Sequence, residues 1–245
     1  DSIGKRDEVF FIYDNIKSTR GIMIDVGAHF GGSLVRFALD GWKVFAFEPD
    51  DFNRSKLIEL CKGSKLNKVN IDSRAISDKG EEEISFYRSD VSSGISGLSV
   101  FHDSHEEVQK VNTTTLRDFC DKNNIDEVDF LKIDTEGWDY FVLKGFPFEK
   151  IKPRIILAEF EDHKTVPQGY TWEDMAKFLR DKGYAVAVSE WYPVIEYGSN
   201  VKWRDITTYQ CELLDKKATG NLIACKDKHD MQRIIQNIKK YIKRK

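Results

Sequence analysis

Met23-Ile24-Asp25-Val26-Gly27-Ala28-His29-Phe30-Gly31-Gly32, followed by Phe47-Glu48-Pro49-Asp50, is the stretch on which the fold turns. An apolar run ends around an acid, a glycine turn follows, and a helix is expected after it. A second apolar run ends at Glu48, 23 residues beyond Asp25. This is the layout of a nucleoside-binding βαβ unit. A dinucleotide fingerprint needs a bare middle glycine so that the backbone can approach a pyrophosphate. Here Gly27 and Gly32 fit the outer positions, and His29 stands in the middle one. Its ring would obstruct a pyrophosphate lying on the turn. A nucleoside cofactor without one, S-adenosylmethionine, is therefore preferred over a nicotinamide dinucleotide. Gly27 supplies the turn, and Gly31 or Gly32 lets the helix start close to the strand. Asp25 is expected to accept from the ammonium of the methionine part, and Glu48 from both ribose hydroxyls. The bland alternative is an ordinary strand–turn–helix with a capping acid.

The 245 residues suffice for one large α/β domain with a full core. Residues 1–230 read as that domain and 231–245 as a basic amphipathic helix. A net charge of −3 provides no global field to gather nucleic acid. No N-terminal apolar signal is visible, nor any apolar run of about 18 residues. Cys61, Cys120, Cys211 and Cys225 are far apart and fit no zinc spacing. They read as reduced structural thiols, so a cytoplasmic setting is expected.

Strands are expected at Ile22–Val26, Val44–Glu48, Val69–Ser73, Phe130–Asp134, Ile155–Phe160, Ala185–Ser189 and Asn221–Cys225. Helices are expected at Val9–Lys17, Ser33–Asp40, Phe52–Cys61, Leu116–Asn123 and Trp172–Lys182. The continuous apolar runs Phe130–Asp134 and Ile155–Phe160 suit strands buried on both faces of a parallel sheet. Glu83–Tyr87 and Lys110–Thr115 alternate with a period of two and read as an antiparallel pair flanking the loop Arg88–Glu107. Strands alternating with helices imply a doubly wound α/β sheet with ligands at the carboxyl ends of its strands. Asp25, Glu48, Asp134 and Glu159 each end an apolar run, so all four are expected on one rim. Unpaired buried carboxylates are costly, so they should meet ligands, water or a cation, unless some are helix caps.

A second motif, Phe130-Leu131-Lys132-Ile133-Asp134-Thr135-Glu136-Gly137, adds specificity. With IDVGAHFGG (24–32), FAFEPDDFNRSKL (45–57), RAISDKGEEEISFY (74–87), TTTLRDFCDKNNIDEVDFLKIDTEGWDYFVLKGF (113–146), ILAEFED (156–162) and NLIAC (221–225), the chain resembles the FkbM family of S-adenosylmethionine-dependent methyltransferases. These stretches span about 200 residues in the expected order. The resemblance implies a mostly parallel seven-stranded sheet of the class I, Rossmann-like methyltransferase type, with an inserted antiparallel hairpin and a C-terminal helix. It also implies methylation of hydroxyl groups on sugars, glycolipids or macrolide-like natural products. Family members often carry Asn where His29 stands and Asp where Arg117 stands. The segment Val91–Glu107 does not align with the family and reads as a substrate-side loop.

Methyl transfer from a sulfonium is an in-line displacement, and a sugar hydroxyl needs a base or a Lewis acid. Asp134, Glu159 and His163 are the expected catalytic residues. The expected cofactor contacts are Asp25, Gly27, His29, Gly31, Glu48, Asp50, Ala75 and Glu136. A divalent cation held by Asp134, Glu159 and Asp162 is a second mechanism; metal-independent catalysis is preferred, because Glu161-Asp162-His163 also resembles a solvated loop. His102 and His105 read as part of a polar loop. Trp138, Trp191, Tyr192 and Trp203 are candidates for stacking on a sugar, with Trp191-Tyr192-Pro193 the best platform and core packing the alternative. In the tail, Ile234, Ile235, Ile238, Tyr241 and Ile242 recur at helical spacing. Packing on the domain, or on a second copy as a homodimer, is preferred over contact with an anionic membrane surface. The competing functions are a nicotinamide-dependent sugar oxidoreductase or epimerase, and a non-catalytic S-adenosylmethionine-binding domain of a larger assembly. Against the former stands His29, and no Tyr-x-x-x-Lys pair follows at a suitable place: Tyr140–Lys144 has the spacing, but its helix is already explained by the family motif.

Overall fold

The computed structural model describes residues 6–17, 20–62, 66, 68–89, 96–194 and 201–244. Positions 91–95 of the expected substrate-side loop and Lys245 of the tail lie outside them. Along the chain run α1 (Glu8–Ile16), β1 (Ile22–Val26), α2 (Val35–Leu39), β2 (Lys43–Phe47), α3 (Asp51–Cys61), β3 (Val69–Asp72), β4 (Ala75–Ile76), β5 (Glu83–Ser89) and β6 (His105–Thr114). Then follow α4 (Leu116–Lys122), β7 (Phe130–Ile133), α5 (Asp139–Lys144), β8 (Ile155–Glu161), α6 (Asp162–Thr165), α7 (Trp172–Asp181), β9 (Ala185–Trp191), β10 (Trp203–Thr208), β11 (Thr219–Cys225) and α8 (Lys228–Ile242).

The main sheet has the order β10-β9-β11-β8-β7-β1-β2-β3. From β8 to β3 every pairing is parallel, and the pairings of β11 with β8, β9 with β11 and β10 with β9 are antiparallel. The architecture is the doubly wound α/β sheet read from the sequence, with one strand more than the expected seven. The extra strand, β10, is an edge strand in which Ile206 alone is fully buried. A polar edge strand carries little of the apolar signal by which strands are recognised. The expected antiparallel pair is β5 and β6, which with β4 forms a separate three-stranded sheet.

Each face of the main sheet has its own core, because successive side chains of a strand point to opposite faces. Ile24, Leu131 and Ile156 pack with α4, α5 and α7. Met23, Phe130 and Ile155 pack with α1, α2 and α8. In α8, Met231, Ile234 and Ile238 are buried in this second core. The apolar stripe of the tail thus packs on the domain. Among the described residues no helix is long and apolar enough to cross a membrane.

Helix starts follow local chemistry. Thr171 and Asp174 form a reciprocal capping box on α7, Thr115 caps α4, and Asp50 accepts from the Asn53 amide at 2.9 Å to start α3.

Candidate functional site

The parallel half of the sheet sends β1, β2, β7 and β8 to a common rim, and a cleft of about 270 Å³ opens there. Its floor is the glycine turn after β1. Gly27 has φ +79°, and a Cβ on it would lie 1.8 Å from the Asp134 carbonyl oxygen. Only glycine lets β1 and β7 end this close together. His29 also takes a left-handed backbone, φ +49°, and its ring stacks on Phe30 at 3.7 Å. Burial pushes the His29 imidazole below its usual range. His29 thus occupies the place where a dinucleotide site keeps its backbone bare.

Glu48 is the polar anchor of one end. Its Oε2 accepts from the His29 amide at 2.7 Å and its Oε1 from the Asp50 amide at 2.9 Å. These two bonds fix the carboxyl plane, and each oxygen keeps a further lone pair for a ligand. Burial pushes Glu48 up to about 7, against the two amides. Ile76, Phe86 and Leu98 give the cleft apolar walls, and Ala75 and Arg74 also line it. Arg74 is itself held by Asp72 through bonds of 2.6 and 3.0 Å.

The other end is acidic. Asp134, Glu136 and Glu159 line the cleft, and each places an oxygen within 4.8 Å of the others. Asp134 is 41% exposed, and Lys132 approaches its Oδ2 at 3.4 Å. Glu136 sits at φ +55° and accepts from the Lys164 ammonium. Burial raises Glu136 to about 7 despite that ammonium, and burial with the nearby Glu136 charge raises Glu159 well above the carboxylate range. Behind them Asp139 is buried. It accepts from the Thr135 hydroxyl at 2.9 Å and from the Glu159 amide at 3.1 Å, tying the ends of β7 and β8 together. A second groove, of about 600 Å³, meets the cleft at Gly27, His29 and Asp134 and runs toward α1 past Phe10, Phe30 and Arg36.

The structure thus brings Gly27, His29, Glu48, Ala75, Glu136, Asp134 and Glu159 together in one cleft. It places four other expected site residues outside the cleft lining. Asp25 lies beside Lys132 in strand register, faces the α1–α2–α8 side, and is fully buried. Its carboxylate is taken by Lys132 at 3.0 Å and by the Ser33 hydroxyl, so it does not line the cleft. Gly31 (φ +87°) is a packing glycine, since a Cβ there would meet Leu57 at 2.7 Å. Asp50 is buried, caps α3 and pairs with Arg88 at 2.7 Å. His163 is half-exposed on α6, paired with Glu161 at 3.1 Å, and outside the cleft lining. Asp162 accepts from the Trp172 amide at 2.9 Å, so the acid near Asp134 and Glu159 is Glu136 instead.

The aromatic candidates also lie outside the cleft lining. Trp191 stacks on Trp203 at 5.0 Å and donates to buried Glu8, while Tyr192 is exposed away from the cleft. Trp138 donates to the Ser77 hydroxyl at 3.0 Å and packs on Phe141. His102 engages the Ser104 hydroxyl in the loop before β6, as expected of a polar loop, whereas His105 is the first residue of β6 and accepts from the Phe101 amide. Two lysines paired with the carboxylates of this region escaped the sequence reading, Lys132 and Lys164. Lys132 had a signal: a lysine inside the apolar run Phe130–Ile133 must find buried partners.

The Methyltransferase FkbM domain model matches residues 25–186. No curated protein sequence matches the chain. Among solved structures, the chain is similar to the precorrin-6y C5,15-methyltransferase of Geobacter metallireducens GS-15, with 12% identity, 84% of this chain and 80% of that one covered, and a TM-score of 0.43. It is also similar to the magnesium protoporphyrin IX methyltransferase of Synechocystis PCC 6803 with bound SAM, with 11% identity, 88% and 76% covered, and a TM-score of 0.45.

Proposed function

Because this chain belongs to the FkbM methyltransferase family, we propose that it moves a methyl group from S-adenosylmethionine to a hydroxyl of a sugar, glycan or glycosylated natural product. S-adenosylmethionine is the cofactor, and the cleft suits it. One buried, amide-fixed carboxylate suits a ribose, apolar walls suit an adenine, and the histidine-blocked turn disfavours a pyrophosphate. When bound, it supplies an electrophilic methyl carbon on a sulfonium.

The remaining work falls to the chain. Glu48 orients the ribose by accepting from its hydroxyls. Gly27 and His29 set the depth at which the ligand lies. Asp134 borders both the cleft and the second groove, and this shared position is the observation that carries the reading. A hydroxyl entering from the groove side meets Asp134 as its proton acceptor, and Lys132 steadies that carboxylate from below. Glu159 and Glu136 supply further acceptors for neighbouring hydroxyls of a polyol, which suits a sugar better than an apolar acceptor.

The test uses S-adenosylmethionine with a radiolabelled methyl group and a panel of glycans and glycosylated small molecules. Label should appear on a sugar oxygen. Asp134→Asn is expected to lower turnover by about a hundredfold or more while leaving cofactor affinity within about tenfold. Label on nitrogen or carbon instead, or full turnover in Asp134→Asn, contradicts the reading.

A further inference from the structure

Behind the acidic end of the cleft, bonded to Glu136, lies a cation that methyl transfer, as described above, does not use. Lys164 lies on α6, immediately after β8, and its side chain is 2% exposed. Its ammonium donates to Glu136 Oε2, pairs with Glu161, and lies 4.9 Å from the centre of the Phe101 ring. The backbone is shaped around it: Gly137 has φ +94°, and a Cβ there would stand 3.0 Å from the Lys164 Cβ. A buried lysine is expensive unless its charge is matched, and here two carboxylates match it.

One of the two, Glu136, also belongs to a trio with the spacing of a hard-cation site. Oxygens of Asp134, Glu136 and Glu159 lie within 4.8 Å of one another. A divalent ion seated there would need the Glu136 oxygen that Lys164 engages, and would sit beside a fixed positive charge in a poorly screened place. The two cations exclude one another.

We propose that the Lys164 ammonium is the resident counter-ion of the Asp134–Glu136–Glu159 carboxylates, a positioning residue that holds Glu136 on the cleft wall and keeps divalent ions out of the place where the acceptor hydroxyl arrives. The arrival of a hydroxyl there rests on the function proposed above; the exclusion of a divalent ion does not. A lysine that merely fastened α6 to β8 would, when removed, lower stability and create nothing. A counter-ion lysine, when removed, uncovers a metal site.

The experiment is a titration of the full chain with Mn²⁺, following the electron paramagnetic resonance signal of the free ion. Wild type and Lys164→Arg should bind weakly and alike. Lys164→Met should bind about tenfold or more tightly, and Glu136→Gln in that background should return affinity to the wild-type level. A wild-type site as tight as that of folded Lys164→Met overturns the proposal, and so does a folded Lys164→Met that binds no better than wild type. Should Lys164→Met fail to fold, the charge-retaining Lys164→Arg and the wild type decide. Tighter binding in Lys164→Arg, or a wild-type site abolished by Glu136→Gln, overturns the proposal, and absence of both supports it. Calorimetry with S-adenosylmethionine on the wild-type sample reports separately on the methyl-transfer reading.

Discussion

Glu48 shows how one side chain becomes a site. Its two oxygens are fixed by amides of two different segments, the glycine turn and the start of α3, so neither can swing away from the cleft. Burial raises its pKa to about 7. The sign matters: a raised carboxyl keeps its proton in the folded protein up to that pH, whereas a ribose needs the ionised form as its acceptor. Donor affinity should therefore rise with pH through about 7, by about tenfold between pH 6 and pH 8. In Glu48→Gln that rise should shrink by calorimetry; a rise left unchanged by Glu48→Gln would remove Glu48 from the ribose site. Lys132 is the other decisive residue. It spans Asp25 at 3.0 Å and Asp134 at 3.4 Å and donates to the Gly27 carbonyl at 3.1 Å. Lys132→Met leaves Asp25 buried and unpaired, and should cost about 3–5 kcal/mol in urea unfolding. Adding Asp25→Asn should recover most of that loss, because the uncompensated charge goes with it. An equally unstable double variant would show that Lys132 acts through packing alone.

At the scale of elements, the glycine turn is a junction rather than a loop. β1 and β7 converge so closely after Val26 and Ile133 that Gly27 has no room for a methyl group. Gly27→Ala should therefore lose about 3 kcal/mol or more in equilibrium denaturation, from a left-handed φ and a steric overlap together. A loss under about 1 kcal/mol would mean that the two strands part easily. The apolar strands and capped helices were legible in the sequence because their patterns are strong: β1, β7 and β8 are nearly continuous apolar runs. β10 was illegible because an edge strand such as Trp203–Thr208 needs little apolar surface. The direction in which Asp25 points is hidden from the sequence for a subtler reason. A strand-terminal acid looks the same in sequence whether it points over the rim or back beneath α2. The choice was made by the register that sets Asp25 beside Lys132. Lys164 hid in Glu161-Asp162-His163-Lys164, a run as polar as any solvated loop, because only the chain's return over β8 buries it.

Taken whole, the molecule separates support from chemistry. Two cores, one on each face of the sheet, hold the strands, and α8 completes the second by burying Met231, Ile234 and Ile238. The antiparallel edge of β11, β9 and β10 widens the sheet away from the cleft, and the Trp191–Trp203 stack belongs to that support. The cleft opens where the parallel strands end, lined by Gly27, Glu48, Asp134 and Glu159, and there the proposed chemistry is placed. The acceptor-side carboxylates matter only if the cleft first seats an adenosyl group on Glu48. Calorimetric titration of the full chain with S-adenosylmethionine and with NAD⁺ tests that directly. S-adenosylmethionine should bind, NAD⁺ should not compete, and Glu48→Ala should weaken the donor about thirtyfold, the scale of one hydrogen-bonded charge. NAD⁺ binding more tightly than S-adenosylmethionine, or undiminished donor affinity in Glu48→Ala, would contradict it.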